Sequence, residues 1–359
     1  MFFKAIIHVV ESTATGTLSM IRLSANAQAS AGDRVTVIYS RRPETPDDLI
    51  SLFHPNVELV NIQMLSVKDK IIALFRIRSY IKSQKPSAVV LHSSFGGFLG
   101  RIAAIGLAGK FYYLPHCISF MRQDISGVKR LVFALLEWVG AVKNATYVAC
   151  SESEATQIRK YIPFRKCVVV ENAVNTEAWL GGADWNDRKS VVVTVGQIRL
   201  QKDPERFARI ASAILSQRND VEFVWVGDGE EEFKNLLTES GVNLTGWKTP
   251  TQVKELLGTA KYYLSTALWE GMPVSPIEGM LSGCVGVLSD CAGNVDIIEN
   301  GKTGFIFSEE AEAVTRLIYL LDNDIDASNI ALSGREYCRS QYSVDRYIQD
   351  FSKLLGNEA

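Results

Sequence analysis

The stretch KYYLSTALWEGMPVSPIEGMLSGCVGVLS, residues 261–289, decides the fold. It opens with KYYLS (261–265) and closes with CVGVLS (284–289), two short, continuously apolar runs that read as strands. Between them, Pro273 and Pro276 exclude an ordinary helix before position 276, because proline lacks the N–H and fixes φ. Ser275-Pro276-Ile277-Glu278 then reads as a helix start. Serine is a good N-cap, proline suits the first helical position, and a glutamate three residues after the cap completes a capping box. Strand, loop, helix and strand in succession make a crossover, and such crossovers build parallel sheets covered on both faces. Two carboxylates, Glu270 and Glu278, bracket the loop and helix start. Free N–H groups at a helix start favour an anion. Two roles stay open for Glu278 at this point, a cap for its own helix or a ligand contact.

The same alternation runs outward in both directions. Strands are expected at 4–10, 34–40, 57–63, 88–92, 111–114, 146–150 and 167–171, then at 190–196 and 221–227, with helical stretches between most of them. The set divides near ENAVNTEAW (171–179). The expected fold is therefore α/β, with two doubly wound domains facing across a cleft and ligands outside the carboxyl ends of the strands. No apolar run reaches the ~20 residues that span a bilayer, and MFFKAIIHVVES reads as a buried first strand, not a signal peptide. The six cysteines show neither CxxC nor a zinc spacing, so reduced thiols in a cytoplasmic protein are expected.

The net charge of −2 hides an asymmetry. Residues 1–172 carry 21 Lys/Arg and 12 Asp/Glu, or +9, and residues 173–359 carry 17 and 28, or −11. Only the first half is expected to meet something anionic. Within it, SVKDKIIALFRIRSYIKSQK (66–85) interleaves Lys68, Lys70, Arg76, Arg78, Lys82 and Lys85 with apolar residues at helical spacing. Those apolar positions read mostly as a core-facing stripe, with a basic flank free for anionic lipid.

The segment TALWEGMPVSPIEGMLSGCVGVLSDCAGNVDIIENGKTGFIF (266–307) resembles the donor-site region of glycosyltransferase family 4, retaining enzymes of the GT-B fold. Glu270 and Glu278 match the family's E-x7-E motif, and AGNVDII and NGKTG match the family's pattern just beyond that motif. LHSSFGGFLGRIAA (91–104), YYLPHCISF (112–120), ACSESEA (149–155), ENAVN (171–175), VGQIRLQKDPERF (195–207) and VWVGDGEEE (224–232) are similar to family landmarks in the expected order. The resemblance thus covers nearly the whole chain. It implies a Rossmann-like acceptor domain over 1–170, a Rossmann-like nucleotide-sugar domain over 171–340, and a closing helix within 341–359 that packs back on the first domain.

It also implies the chemistry. Glu278 is expected to hold the donor ribose and Glu270 to lie at the sugar and diphosphate. Gly271, Met272, Pro273, Val274 and Ser275 line the sugar and phosphates. Lys202 matches the lysine of the G-R-L-x3-K motif that faces the departing diphosphate, whereas the arginine position holds Gln197. Arg199, two residues on, is the candidate substitute, with a solvated loop arginine as the other reading. Gly16 stands where the family has a glycine loop after the first strand. Trp247 stands where the base is bound, and His116 matches a histidine close to the transferred sugar. Catalytic roles therefore fall to Glu270, His116 and Lys202.

No metal and no cofactor are expected. The D-x-D within DNDID (322–326) follows a helix and reads as an acidic turn, and no P-loop occurs. The expected partners are a nucleotide diphosphate-sugar, preferably UDP-linked, and a saccharide acceptor that a lipid diphosphate carries. An anionic membrane surface joins them through the basic half, and nucleic acid does not. The competing readings are a nucleotide-sugar epimerase of the same architecture and a glycosyltransferase-like partner without turnover.

Overall fold

A computed structural model describes residues 4–13, 15–43 and 45–356. Seven parallel strands make the first sheet: β1 (Ala5–Val10), β2 (Arg34–Tyr39), β3 (Val57–Asn61), β4 (Ala88–His92), β5 (Lys110–Leu114), β6 (Thr146–Ala149) and β7 (Cys167–Val169). Their order is β3-β2-β1-β4-β5-β6-β7. Six strands make the second: β8 (Lys189–Val195), β9 (Glu222–Val226), β10 (Val242–Leu244), β11 (Ala260–Ser265), β12 (Val285–Ser289) and β13 (Gly304–Phe307), ordered β10-β9-β8-β11-β12-β13. Each sheet reverses its strand order once, between β1 and β4 in the first and between β8 and β11 in the second. Loops diverge at such a point and leave space for a ligand at the carboxyl ends of the strands.

The sheets belong to two compact units, residues 1–172 with 345–359, and residues 173–344. From Asp345 onward the closing helix Val344–Leu354 belongs to the first unit. It buries Tyr347 and Phe351 there, and its end accepts a hydrogen bond from Tyr112 Oη to the Leu354 carbonyl at 2.9 Å. Strands β10 and β13 went unread in the sequence. Both are sheet edges, three and four residues long, and too short to show a period.

The first unit also departs from the expected packing of Val67–Gln84. Ser66 and Asp69 close a capping box at its start, and Ala73, Ile77 and Ile81 form the buried stripe at four-residue spacing. Ile71, Ile72 and Phe75 lie on another side of the helix and are exposed, Phe75 at 71%. They are not core residues. Two of the six basic residues have structural tasks. Arg78 Nη1 donates to the Ala103 and Ile105 carbonyls, and Lys70 Nζ lies 4.7 Å from the Phe95 ring centroid.

Helix Gly127–Gly140 is inverted further. Its buried positions are Ala134, Glu137 and Gly140, and its exposed face is Val128, Leu131, Val132, Leu135, Leu136, Trp138 and Val139. The buried face is small because it seats on a charged cluster. Arg101, wholly buried in helix Ser94–Ala103, lies 2.8 Å from Glu137 Oε2, and Tyr113 Oη donates to Glu137 Oε1 at 3.0 Å. A Cβ at Gly140 would come within 2.8 Å of the Arg101 guanidinium carbon.

Candidate active site

In the second unit the loops after β8, β11 and β12 converge at the reversal point. The loop after β8 is bound to the one after β9. Ile198 N donates to the Asp228 carbonyl at 3.0 Å, and Glu230 N donates to the Ile198 carbonyl at 3.0 Å. The approach is so close that a Cβ at Gly227 would stand 2.0 Å from the Gly196 carbonyl oxygen. Gly227 also has φ 147°, where only glycine is unstrained. Asp228 and Gly229 thus shape this turn, and Asp228 pairs with Lys234 at 3.1 Å.

The same loop then reaches the one after β11. Gln201 Nε2 donates to the Trp269 carbonyl at 2.9 Å, Leu268 N donates to the Gln201 carbonyl at 2.9 Å, and Thr266 Oγ1 donates to the Lys202 carbonyl at 2.7 Å. These bonds deliver Lys202 Nζ to 2.7 Å from Glu270 Oε1, with both side chains largely buried. Burial works against the charged lysine, but Glu270 and Tyr263 outweigh it and hold Lys202 above its ordinary pKa. Glu270 is clamped from its other side, where Glu270 N donates to the Ala292 carbonyl at 3.1 Å and Gly293 packs against it. A Cβ at Gly293 would meet Glu270 Cβ at 2.9 Å.

The helix of the opening stretch runs over Val274–Leu281, two residues earlier than its sequence suggests. Pro273 occupies the cap position, and no side chain caps the first turn. The capping box of Ser275 and Glu278 is not formed. Ser275 Oγ instead lies 3.0 Å from Tyr263 Oη, whose ring packs where a Cβ on Gly279 would clash at 2.5 Å. That contact takes Ser275 away from capping and leaves Glu278 without its expected bond. Its carboxyl is half-buried, has no hydrogen-bond or ion-pair partner among the described residues, and is pushed up to about 8 by burial.

The remaining expected site residues divide. Gly271, Met272 and Pro273 are buried in the loop, and Val274 and Ser275 are half-buried at the helix start. Arg199 is exposed, with extended backbone, and its charge works against that of Lys202. Trp247 is 65% exposed, beyond Gly246 on the loop that follows β10. Gly16 is not in a loop. It is the second residue of helix Thr15–Ser30, and nothing lies within 4 Å of where its Cβ would stand.

His116 follows β5 and is partly buried, its Nε2 3.1 Å from His92 Nδ1, and burial lowers it to about 4. The acidic run at 322–326 does not gather. Asp322 pairs with Arg218, Asp324 with Lys261 and Asp326 with Tyr319. Sequence reading missed Gln201, Tyr263, Thr266 and Gly293, which hold the site together through contacts with residues distant in sequence that no local pattern reveals.

Two family models meet on the chain. The one described as Glycosyltransferase Family 4 matches residues 16–178, and Glycosyl transferases group 1 matches 175–337. The chain is 30% identical over 284 residues to the UDP-Gal:alpha-D-GlcNAc-diphosphoundecaprenol alpha-1,3-galactosyltransferase of Escherichia coli, covering 72% of this chain and 71% of that one. This chain belongs to glycosyltransferase family 4.

Another family relative, the GDP-mannose:cellobiosyl-diphosphopolyprenol alpha-mannosyltransferase of Xanthomonas oryzae, is 24% identical over 72% of this chain and 69% of its own length. Among solved structures, HepE of Anabaena in complex with UDP and glucose superposes with a TM-score of 0.80 at 15% identity, over 99% of this chain and 100% of that one. Sucrose-phosphate synthase from Thermosynechococcus elongatus gives 0.82 at 13% identity over 98% of both chains. The fold is GT-B, and the protein is a glycosyltransferase.

Proposed function

We propose that this glycosyltransferase moves a hexose or N-acetylhexosamine from a UDP-sugar to a saccharide carried on a lipid diphosphate, with retention at the anomeric carbon and without a metal ion. One observation carries the reading. Glu278 is a half-buried carboxyl with no partner among the described residues, on the first turns of an uncapped helix, in the crossover that also supplies Glu270 of the Lys202–Glu270 pair. A carboxyl left so within a folded protein is costly unless a ligand completes it. The paired hydroxyls of a ribose would donate to its two oxygens.

The other roles rest on charge. Lys202, held cationic by Glu270, would meet the diphosphate as negative charge develops on the leaving group, where fixed positive charge lowers the barrier most. The uncapped N–H groups of Val274 and Ser275 would add to it. Glu270, with Gly271 and Met272, would face the sugar, and His116 the transferred ring. Arg199 and Trp247 are exposed and available to the outer phosphate and the base. With Lys202 and the uncapped N–H groups set for the phosphates, and the Glu270 carboxylate held by Lys202 and not left as a nucleophile, front-face attack is the proposed route. The acceptor hydroxyl would pass its proton to the donor phosphate as the new bond forms.

The lipid carrier draws support from the first unit. The apolar face of Gly127–Gly140, with Val67, Ile71, Ile72 and Phe75 of helix Val67–Gln84, is accompanied by exposed Lys68, Arg76, Lys82, Lys85 and Lys129. Apolar side chains together with lysine and arginine suit an anionic membrane surface, and the inner face of the cytoplasmic membrane is the proposed location. No helix among the described residues is long and apolar enough to cross a membrane.

The test is UDP release from UDP-galactose with GlcNAc-diphosphoundecaprenol in vesicles and EDTA present, beside thermal shifts with UDP, GDP and ADP. Stabilisation by UDP that Glu278→Gln weakens, with an α-linked product, supports the reading. Stabilisation by another nucleotide replaces the donor. Nucleotide binding with no release on any acceptor leaves a partner without turnover.

A further inference from the structure

Behind His116 stands a row of imidazoles. His8 lies on β1 and His92 ends β4, the two strands that flank the order reversal of the first sheet. The strands are parallel, with His8 opposite Val90 and Val10 opposite His92, so both rings rise from the same face. His92 is in turn opposite Leu114, two residues before His116. The three rings lie nearly parallel, at 15° and 9° to one another. Nitrogen meets nitrogen along the row. His8 Nδ1 is 3.0 Å from His92 Nε2, His92 Nδ1 is 3.1 Å from His116 Nε2, and at the far end Gln28 Oε1 is 2.8 Å from His8 Nε2.

That row has a direction. The Gln28 oxygen only accepts, so His8 carries its proton on Nε2. A neutral His8 then accepts at Nδ1, which places the His92 proton on Nε2, and the same step places the His116 proton on Nε2. The Nδ1 of His116 is left as an acceptor with no partner among the described residues. Burial pushes His8 and His116 to about 4 and His92 well below its ordinary value, so the row stays neutral near pH 7.

The backbone beneath His116 is held with equal insistence. His116 and Cys117 have φ of 55° and 89°, a region costly for both residues. The wholly buried Glu154 carboxylate accepts the Cys117 and Ile118 N–H groups at 2.8 Å each and holds the turn in place.

We propose that Gln28, His8 and His92 are positioning residues for glycosyl transfer: they hold His116 as its neutral Nε2–H tautomer, so that Nδ1 accepts a hydrogen bond from a hydroxyl of the transferred sugar. The ligand in this proposal rests on the proposed role of His116 at the transferred ring, whereas the tautomer does not.

With only four histidines in the chain, two-bond 1H–15N spectra of the full-length protein resolve each ring. The expected result is Nε2–H at His8, His92 and His116 in the wild type. In Gln28→Leu, His116 becomes a tautomer mixture and kcat falls on the order of tenfold while UDP affinity holds. Gln28→Asn, which keeps an uncharged amide acceptor, retains more of the Nε2–H form and of the rate than Gln28→Leu. Nδ1–H at His116 in the wild type, or an unchanged tautomer in Gln28→Leu, overturns the proposal. If Gln28→Leu does not fold, His8→Gln carries the same test. Full turnover in His116→Ala would overturn the sugar contact alone, and the spectra would still decide the row.

Discussion

Both units reverse their strand order once and gather ionisable side chains there, but they keep them in opposite states. At β8 and β11 the second unit holds a cation against an anion, Lys202 on Glu270, with Glu278 nearby in sequence and unpartnered among the described residues. At β1 and β4, with the loop after β5, the first unit holds three imidazoles that burial keeps uncharged. The surfaces differ in a matching way. Among the described residues, seventeen of the exposed large apolar side chains lie in 1–172 and five in 173–344. In the proposed function, the acidic unit sets fixed charge for the diphosphate. The basic unit offers apolar area and positive charge outside and a neutral acceptor inside, which suits a lipid-carried saccharide. One plan of strands serves both because the chemistry sits on the loops and the unit's outer helices.

The charged pair should show the largest effect. Lys202→Met is expected to lower kcat by roughly 10²–10³-fold, the usual cost of removing charge stabilisation at a leaving group. It also strands Glu270, so the single variant should melt earlier. Lys202→Met with Glu270→Gln should recover stability but not activity, as thermal melts beside UDP-release rates would show. Recovery of activity in the double variant would reduce the pair to a structural role.

The outer face of the first unit comes next. Leu131→Ser with Leu135→Ser should weaken binding to anionic vesicles by roughly a hundredfold or more, since each buried leucine contributes about 1.5–3 kcal/mol. Neutralising Lys68, Arg76, Lys82 and Lys85 should weaken it further only at low salt, at about 1 kcal/mol per charge. Sedimentation with vesicles at two ionic strengths separates the two parts. Unchanged partitioning in the leucine variant would assign that face to something other than lipid.

Glu278 should act on stability in the empty protein. Its pKa is raised to about 8 in the folded state, so between pH 4.5 and 8 the folded chain keeps a proton that the unfolded chain has lost. Stability from this group is whole below pH 4.5 and is lost as pH rises through 8. Glu278→Gln should therefore raise the melting temperature at pH 8, by the equivalent of a few kcal/mol at most, and hardly at all at pH 4.5. A flat difference across that range would mean that the carboxyl is solvated.

The smallest effect is the mirror image in the first unit. His8 and His116 are lowered to about 4, so their stabilising contribution is whole above pH 6.5 and is lost as pH falls through 4. Hydrogen exchange from pH 7 to 4.5 should show β1 and β4 losing protection before β8 and β11. Equal loss in both sheets would remove this distinction between the units.

Much of this was legible in residue order. The crossover at 261–289 and the repeated apolar runs identify parallel sheets, because strands buried on both faces must be apolar throughout. Lys202, Glu270 and Glu278 stood out through a spaced motif. Three expectations failed for reasons that local sequence does not carry. Ser275 looked like a cap, but Tyr263, twelve residues earlier, engages its hydroxyl. Gly16 looked like a loop glycine, but the helix begins before it. Ile71, Ile72 and Phe75 looked like core, because a helical period shows that a face is apolar and not which of two apolar faces a neighbour covers.

By itself, then, the sequence determined the alternation of strands and helices, the split of charge between halves, and the residue types at the candidate donor site. These depend on local propensity, on period and on composition. Tertiary structure alone decided that Glu278 has no partner among the described residues, that Gly127–Gly140 turns its apolar face outward over a buried Arg101–Glu137 pair, and that His8, His92 and His116 form one row. Each of those depends on which strand lies beside which, and adjacency across a sheet is set by packing and strand order rather than by distance along the chain.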